Sequence, residues 1–484
     1  MLFSSFEFIF FFLPLVIPLY YFVLRNSIKW KNLLLLTASL LFYAWGEPLF
    51  VFAMIACILV NWGFGRLCIY VRENNDGQTK RRFASSASML LKPAMILTVA
   101  VDLGLLAVFK YAAFFVENIN RVLPLEIPIP QLILPIGISF FVFQAVSYTV
   151  DVYRGTVGAQ KNLSLVALYI ALFPQLMAGP IIRYSTIEKQ LTDRSFSWDD
   201  FASGLRRFIF GLGKKVLIAD VIAQAVNYVF ASDPAGMSVT AAWLGAAAFG
   251  MQIYFDFSGY SDMAIGLGKM FGFHFPENFN FPYISRSISD FWRRWHISLS
   301  SWFRDYVYFP IGGSRVKSKL RLVLNLFIVW ALTGLWHGAA WTFVFWGLFF
   351  FVLISFEKLT GFDKWVERIP AAGNVYMLIF VLIGWVLFRA EGARHAVEYL
   401  FAMVGLKSNP FFGFDAVKIG SEYLFTWIAG LITCIPVTRQ LIKNRYFESA
   451  PVVVIRWLYA AFILVLSFAL MTASDQTPFI YFAF

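Results

Sequence analysis

Charged side chains are scarce in this sequence. Only 14% of the 484 residues are charged, 60% are hydrophobic, and the mean hydropathy is +0.69. A water-soluble domain has about a quarter charged residues and about half apolar ones. The interior of a soluble protein of this length has no room for 56 Phe among so many apolar residues. Lipid-facing helices need no polar side, so the composition predicts a polytopic integral membrane protein.

Cysteine and histidine are also rare, with three and four residues respectively. No CxxC pair occurs, which argues against a disulfide framework and against a cysteine zinc site. The sequence contains no P-loop, HExxH, GxSxG or Rossmann fingerprint, and no Ser–His–Asp order. We therefore expect neither a metal site nor a hydrolase-like triad. An internal repeat, which many transporters have, is also missing.

Basic residues exceed acidic ones, 40 to 28, which gives a formal net charge of +12. They cluster between apolar runs, as the positive-inside rule requires, so we expect no nucleic-acid partner. The most basic stretch, residues 269–321, has nine Lys and Arg against Glu277, Asp290 and Asp305. This stretch is predicted to be cytoplasmic.

Apolar runs are distributed along the whole chain, and several approach the length of about 20 residues that crosses a membrane. They predict an all-α transmembrane helix bundle of about eleven or twelve crossings, with re-entrant or interfacial helices. Residues 163–182 contain Pro174, Gly179 and Pro180 and are a candidate re-entrant segment. We expect a single domain over residues 1–484, with a catalytic core at about 94–400. The predicted spans are residues 6–24, 33–45, 49–65, 94–109, 132–150, 208–230, 241–268, 320–336, 339–356, 375–388, 423–436 and 453–471.

His337 is the most unusual histidine because it lies in an otherwise apolar stretch. An ionisable residue at membrane depth costs a few kcal/mol, and this marks it as a functional candidate. Gly334 and Gly338 flank it and lower helix propensity, so a helix break beside a cavity is expected there. The alternative is a neutral histidine that is hydrogen-bonded to a neighbouring helix.

His296 lies in a stretch, residues 289–305, with the pattern of an amphipathic helix. At helical spacing one face collects apolar side chains: Trp292, Trp295, Leu299, Trp302 and Phe303. Such a helix suits the headgroup layer of a membrane and need not carry any chemistry. Alternatively, His296 and its arginine neighbours face a cytoplasmic entrance.

Five cations of the basic stretch are candidates for binding an anionic donor: Arg293, Arg294, Arg304, Arg315 and Lys317. Clustered arginines suit phosphate groups, which coenzyme A carries. The alternative is that these cations only orient the protein in the membrane. Three carboxylates within apolar runs, Asp102, Asp256 and Asp262, are expected to pair with other groups or to line a water path.

Four blocks of this sequence resemble the membrane-bound O-acyltransferase superfamily. They comprise residues 252–263, residues 271–315 with Asp-Phe-Trp-Arg-Arg-Trp-His at 290–296, residues 335–341 with Trp-His-Gly-Ala at 336–339, and residues 478–484. Within the superfamily the chain is most similar to bacterial polysaccharide O-acetylation proteins. The resemblance implies a bundle with a central tunnel, a catalytic histidine at His337 and a second histidine at His296.

The resemblance also implies the reaction. An acetyl group from a cytoplasmic thioester, acetyl-CoA or another, would cross the membrane to an extracytoplasmic polysaccharide such as alginate, with no permanently bound cofactor. A neutral imidazole would act as base toward a hydroxyl, or would accept the acyl group itself. Related systems imply an extracytoplasmic partner of the serine-hydrolase type and a bacterial inner (plasma) membrane location. The alternatives are D-alanyl transfer to teichoic acid, within the same superfamily, and a transporter or flippase that uses Asp102, Asp256 and Asp262.

Overall fold

The computed structural model describes residues 1–24, 26–73, 81–123, 125–436, 449–473 and 479–480, without the side chains of residues 81–88. Throughout these ranges the regular secondary structure is helical and contains no strand. This confirms the predicted all-α class. Of the C-terminal block at 478–484, only residues 479 and 480 lie within the described residues.

The chain divides into two compact units, of which the first comprises Met1–Leu205 and Ala264–Pro276. Two of its helices begin with a side-chain cap: Ser27 accepts from the backbone N–H of Trp30, and Asn162 accepts from that of Ser164. The helices are Glu7–Phe12 (π), Leu13–Pro18, Leu19–Val23 (π), Ile28–Gly46, Val51–Glu73, Arg81–Val122, Ile138–Arg154, Leu163–Ala171, Phe173–Leu176 and Tyr184–Thr192, together with the start of Trp198–Gly213.

The second unit comprises Arg206–Met263 and Glu277–Phe484. Its core contains buried apolar side chains from helices that are far apart in sequence, among them Ile222, Phe249, Phe291, Trp346 and Trp385. The helices are Lys214–Ala219 (π), Asp220–Ala231, Val239–Met270 (first unit from Ala264), Pro282–Ile284 (3₁₀), Ile288–Arg294, Ile297–Phe303, Arg304–Tyr308 (π), Lys319–His337, Trp341–Thr360, Phe362–Val366, Pro370–Arg389, Ala393–Met403, Phe414–Glu422, Leu424–Cys434 and Ala450–Ala473.

Six helices in the described ranges are long and apolar enough to cross a membrane. They are Val51–Glu73, Met89–Val122, Lys319–His337, Trp341–Thr360, Pro370–Arg389 and Ala450–Ala473, and Glu7–Val23 and Leu424–Cys434 are shorter apolar helices. The predicted span at 241–268 forms helix Val239–Met270, which is not one of the six and contains the charged residues Asp256 and Asp262. A multi-pass membrane protein is therefore confirmed, while the number of crossings, the tunnel and a single domain remain predictions.

The predicted re-entrant segment, residues 163–182, does not form one continuous helix. Helix Leu163–Ala171 ends before Leu172, and a short helix, Phe173–Leu176, begins with Pro174 in its first turn. Proline fits there because N–H groups in the first turn of a helix have no acceptor within that helix, so the N–H that proline lacks is not needed. Residues 168–182 are all buried, so the irregular backbone lies inside the protein.

The helix pair Lys319–His337 and Trp341–Thr360 packs closely through two glycines. A Cβ atom on Gly334 would lie 2.5 Å from the carbonyl oxygen of Phe343, and one on Gly347 would lie 2.5 Å from that of Trp330. Only residues without a side chain allow this approach. The pair fixes the end of the first helix, where His337 is located.

Candidate active site

His337 is the last residue of helix Lys319–His337, so the predicted helix break is confirmed. The backbone becomes extended at Gly338, and the next helix begins at Trp341. The imidazole is 5% exposed, and aromatic rings surround it. Ring centroids lie 4.8 Å away in Trp346, 5.0 Å in Trp336 and 5.2 Å in Phe388.

His296 lies at a break between two short helices, Ile288–Arg294 and Ile297–Phe303. The predicted single amphipathic helix over 289–305 is therefore wrong. His296 has φ 44° and ψ 54°, the left-handed region, which costs a non-glycine residue about 1–2 kcal/mol. The expected membrane-facing side chains Trp295, Leu299 and Trp302 are instead buried in the protein. A periodicity argument cannot detect this break because it assumes continuous helical dihedrals.

Asn278 stabilises the left-handed turn at His296 from outside the two helices. Its backbone carbonyl accepts from the N–H of Ile297 at 2.9 Å. Its side-chain Oδ1 lies 3.1 Å from Nδ1 of His296 and accepts from the backbone N–H and the hydroxyl of Ser298, at 3.2 and 2.9 Å. Such hydrogen bonds offset the strain at His296. The composition of residues 278–282 is turn-forming, but this local signal does not reveal the contact between Asn278 and His296.

The imidazole of His296 is 1% exposed. Burial lowers the pKa of His296 to about 3, because it removes the water that would solvate the cation. His296 is therefore neutral at physiological pH. A neutral imidazole is the form that can accept a proton.

The buried carboxylate of Glu357 stabilises the start of helix Ile288–Arg294, which precedes His296. Glu357, 0% exposed, accepts from the backbone N–H groups of Ile288 at 2.7 Å and Ser289 at 2.8 Å. These N–H groups have no partner within their own helix, and an anion suits a helix N-terminus. Glu357 is not among the predicted site residues, although a glutamate at the end of an apolar run is a detectable signal.

One cavity of about 250 Å³ has both imidazoles in its lining. Aromatic and aliphatic side chains form most of its wall, and its charged lining residues are all cations. The lining consists of Ser289, Trp292, Arg293, Trp295, His296, Leu299, Ser300, Phe303, Arg304, Tyr308, Leu326, Val329, Trp330, Thr333, His337, Ile354 and Lys358. The two histidines are buried, whereas the three cations are exposed. The cavity thus combines two buried histidines with solvent-exposed positive charge.

Only two of the five candidate donor-binding cations line this cavity. Arg293 does so while pairing with Glu367 at 3.3 Å, and Arg304 does so while pairing with Asp305 at 2.8 Å. Arg294 pairs with Asp290 at 3.0 Å and does not line it. Arg315 and Lys317 are exposed residues of the loop before helix Lys319–His337 and do not line it either. Lys358, which sequence analysis missed, does line it.

The three carboxylates considered for a transport route all have partners. In the second unit, Asp256 pairs with Lys215 at 2.9 Å, and Asp262 pairs with Arg207 at 2.8 Å and with Lys214 at 2.6 Å. In the first unit, Asp102 accepts from the side-chain amide of Asn61. These contacts favour a structural role for the carboxylates. Among the described residues, no group of three or more His, Cys, Asp or Glu could hold a metal ion.

The site has two buried imidazoles beside exposed cations, and the fold has helices long enough to cross a membrane. These are features of a membrane-embedded enzyme. The model of the membrane-bound O-acyltransferase family matches residues 94–393, more than half of the chain. The chain therefore belongs to the membrane-bound O-acyltransferase family. This confirms the predicted family and the predicted enzyme class, an acyltransferase.

Bacterial relatives cover most of the chain. It is 42% identical over 410 residues to the probable alginate O-acetylase of Pseudomonas putida, which covers 83% of this chain and 80% of the relative. It is 44% identical over 408 residues to the probable alginate O-acetylase of Azotobacter vinelandii, and this match covers 83% of this chain and 78% of the relative. A peptidoglycan O-acetyltransferase of Helicobacter pylori is 32% identical over 533 residues, with coverage of 100% and 98%.

Proposed function

We propose that this protein transfers an acetyl group from a cytoplasmic thioester across the membrane for the O-acetylation of an extracytoplasmic polysaccharide. The observation that carries the proposal is that His296 and His337, which come from separate helical segments, line one cavity. Its bacterial relatives include O-acetylating proteins named for alginate and for peptidoglycan. Since those two polymers differ, we assign the acceptor class as polysaccharide, with alginate as one candidate.

The donor we propose is acetyl-CoA or another anionic thioester. Arg293, Arg304 and Lys358 supply positive charge at the exposed part of the cavity. Phosphate groups bind arginine and lysine through charge-assisted hydrogen bonds. The acyl end of the donor would then lie toward the buried histidines, in the aromatic part of the cavity. Arg294, Arg315 and Lys317 would add to the positive surface without lining the cavity.

The chemistry requires one acyl transfer and two proton transfers, which carry one proton from the acceptor hydroxyl to the departing thiolate. The oxygen of the acceptor hydroxyl attacks the thioester carbonyl, and the carbon–sulfur bond breaks. One imidazole takes the hydroxyl proton and returns it to the departing thiolate, so that an ester and a thiol are formed. The buried site excludes water, which would otherwise compete with the acceptor hydroxyl. A base placed in this way contributes about 10²–10⁴-fold to the rate.

Two further parts of the proposal concern the cell. We place the protein in the inner membrane of a bacterium, with residues 269–321 on the cytoplasmic side, because that stretch is the most basic. We also propose an extracytoplasmic partner of the serine-hydrolase type that completes transfer to the polymer. If the purified chain alone acetylates polymer at the rate seen in cells, the partner proposal fails.

The test is acetylation of the surface polysaccharide in a strain that lacks this gene. Mass spectrometry of the polymer should show loss of O-acetyl groups, with recovery on expression of the wild-type chain. The variant with His296→Ala and His337→Ala, at matched membrane abundance, should not restore them. Full restoration by that variant would contradict the assignment of the site.

A further inference from the structure

Asn278 contacts His296 in a way that determines where the imidazole proton lies. The Asn278 side chain is 1% exposed and has hydrogen bonds at both ends of its amide. Nδ2 donates to the hydroxyl of Ser261 at 3.1 Å. Oδ1 receives the backbone N–H of Ser298 at 3.2 Å and faces Nδ1 of His296 at 3.1 Å. All of these groups belong to the second unit.

The backbone N–H of Ser298 fixes the orientation of this amide. A backbone N–H can only donate, so the Asn278 atom that faces it must be the oxygen. A flipped amide would place two donors against each other and would leave a buried N–H without an acceptor. The oxygen that faces Nδ1 of His296 is therefore an acceptor, and Nδ1 must carry the proton.

A neutral imidazole has one protonated nitrogen, so Nε2 of His296 carries a lone pair. This Nε2 is buried and has no hydrogen-bond partner among the residues that the structure describes. Phe257 packs against the ring at 4.6 Å and Trp336 at 5.9 Å, which restricts its rotation. His296 also lines the cavity of the candidate active site. The residue can thus accept a proton there, whereas it cannot donate one to an oxyanion.

We propose that Asn278 is a positioning residue that holds His296 with its proton on Nδ1, so that Nε2 is the base that accepts the proton of the attacking hydroxyl. The inference rests on the proposed function, because it assigns a role to one of the two histidines of that site. It leaves His337 to contact the acyl group, as a hydrogen-bond partner of the carbonyl or as a nucleophile.

Asn278→Asp is the discriminating variant. A carboxylate still accepts from Nδ1 of His296 and from Ser298, so the turn is preserved, but its negative charge favours the imidazolium. A nearby opposite charge raises a histidine pKa by about one to three units. Protonated His296 cannot act as a base, so the acid limb of the activity profile should move to higher pH. Below the new pKa, activity should fall about tenfold for each pH unit.

The control is Asn227→Asp, which adds the same charge at an exposed residue of the second unit whose Oδ1 accepts from Arg389. Its pH profile should equal that of the wild type. An Asn278→Asp profile that is lowered evenly at every pH would overturn the inference, since a merely structural role predicts that result. His296→Ala is measured in parallel. Normal activity in that variant would contradict the proposed function itself, independently of the Asn278 result.

A second measurement does not depend on whether an Asn278 variant folds, because it is made on the protein with Asn278 unchanged. The chain has four histidines, so ¹⁵N-histidine labelling gives few imidazole signals, and the His296 signals are those missing in His296→Gln. We expect a protonated Nδ1 and an unprotonated Nε2 at neutral pH in the full-length protein. A proton on Nε2 would overturn the inference, whatever the activity data show.

Discussion

The carboxylate of Glu357 accepts the backbone N–H groups of Ile288 and Ser289, although these residues lie almost 70 positions earlier in the chain. Through this contact, helix Trp341–Thr360 holds the start of the helix that precedes His296. The same helix follows His337 directly. Two segments that carry the proposed histidines are thus connected by one buried side chain.

Glu357→Ala should therefore reduce both stability and activity. It leaves the buried N–H of Ile288 and the partly buried N–H of Ser289 without an acceptor, at a cost of up to about 1–3 kcal/mol each. Glu357→Gln keeps one carbonyl oxygen and should lose less. Thermal unfolding of the purified protein measures the effect, with the exposed Glu422→Ala as control. An unchanged melting temperature in Glu357→Ala would show that the contact contributes nothing.

His337→Ala should abolish acyl transfer while the protein still inserts and folds. Loss of a hydrogen-bond donor to the developing oxyanion lowers kcat by about 10²–10³-fold, and loss of a nucleophile removes the covalent route altogether. His337→Gln separates these two roles, since an amide has a similar reach and can donate a hydrogen bond but cannot carry an acyl group. Both variants are assayed at matched membrane abundance against the exposed His274→Gln. Near-normal activity in His337→Ala would remove His337 from the mechanism, whereas activity that only His337→Gln keeps would favour the hydrogen-bond role over the nucleophile.

Lys358→Gln should raise the KM for the anionic donor more than it lowers kcat. The side chain is exposed and lines the cavity, so its charge should act on donor binding rather than on bond breaking. An exposed cation near a phosphate contributes about 1 kcal/mol, or roughly fivefold in KM, and less at high salt. Arg315→Gln, outside the lining, is the comparison. Equal effects of the two substitutions would favour a diffuse surface charge over a defined donor position.

A cysteine at position 314 should react with membrane-impermeant reagents only from the cytoplasmic side. Ser314 is exposed and lies within the most basic stretch of the chain. Of the three native cysteines, Cys57 and Cys68 are buried, and replacement of Cys434 removes the remaining background. Labelling from outside in intact cells would reverse the predicted orientation.

The sequence predicts the helical class, the helix end at His337 and the choice of His296 and His337 as candidate functional residues. These features can be predicted because composition and isolated polar residues are local signals. It does not predict the left-handed turn at His296, because periodicity treats residues 289–305 as one helix. Asn278 and Glu357 were missed for a different reason. Their importance comes from hydrogen bonds to distant parts of the chain, and only the folded arrangement brings those groups together.

The two proposed histidines are held by different kinds of structure. His337 ends a 19-residue helix whose length, about 28 Å, is close to the hydrocarbon thickness of about 30 Å in a typical bilayer. Helices tilt when the bilayer becomes thinner or thicker than their apolar length. His296 instead occupies a turn that is fixed by hydrogen bonds within the protein. Acyl-chain length in the host membrane is therefore expected to act on the position of His337 more than on that of His296.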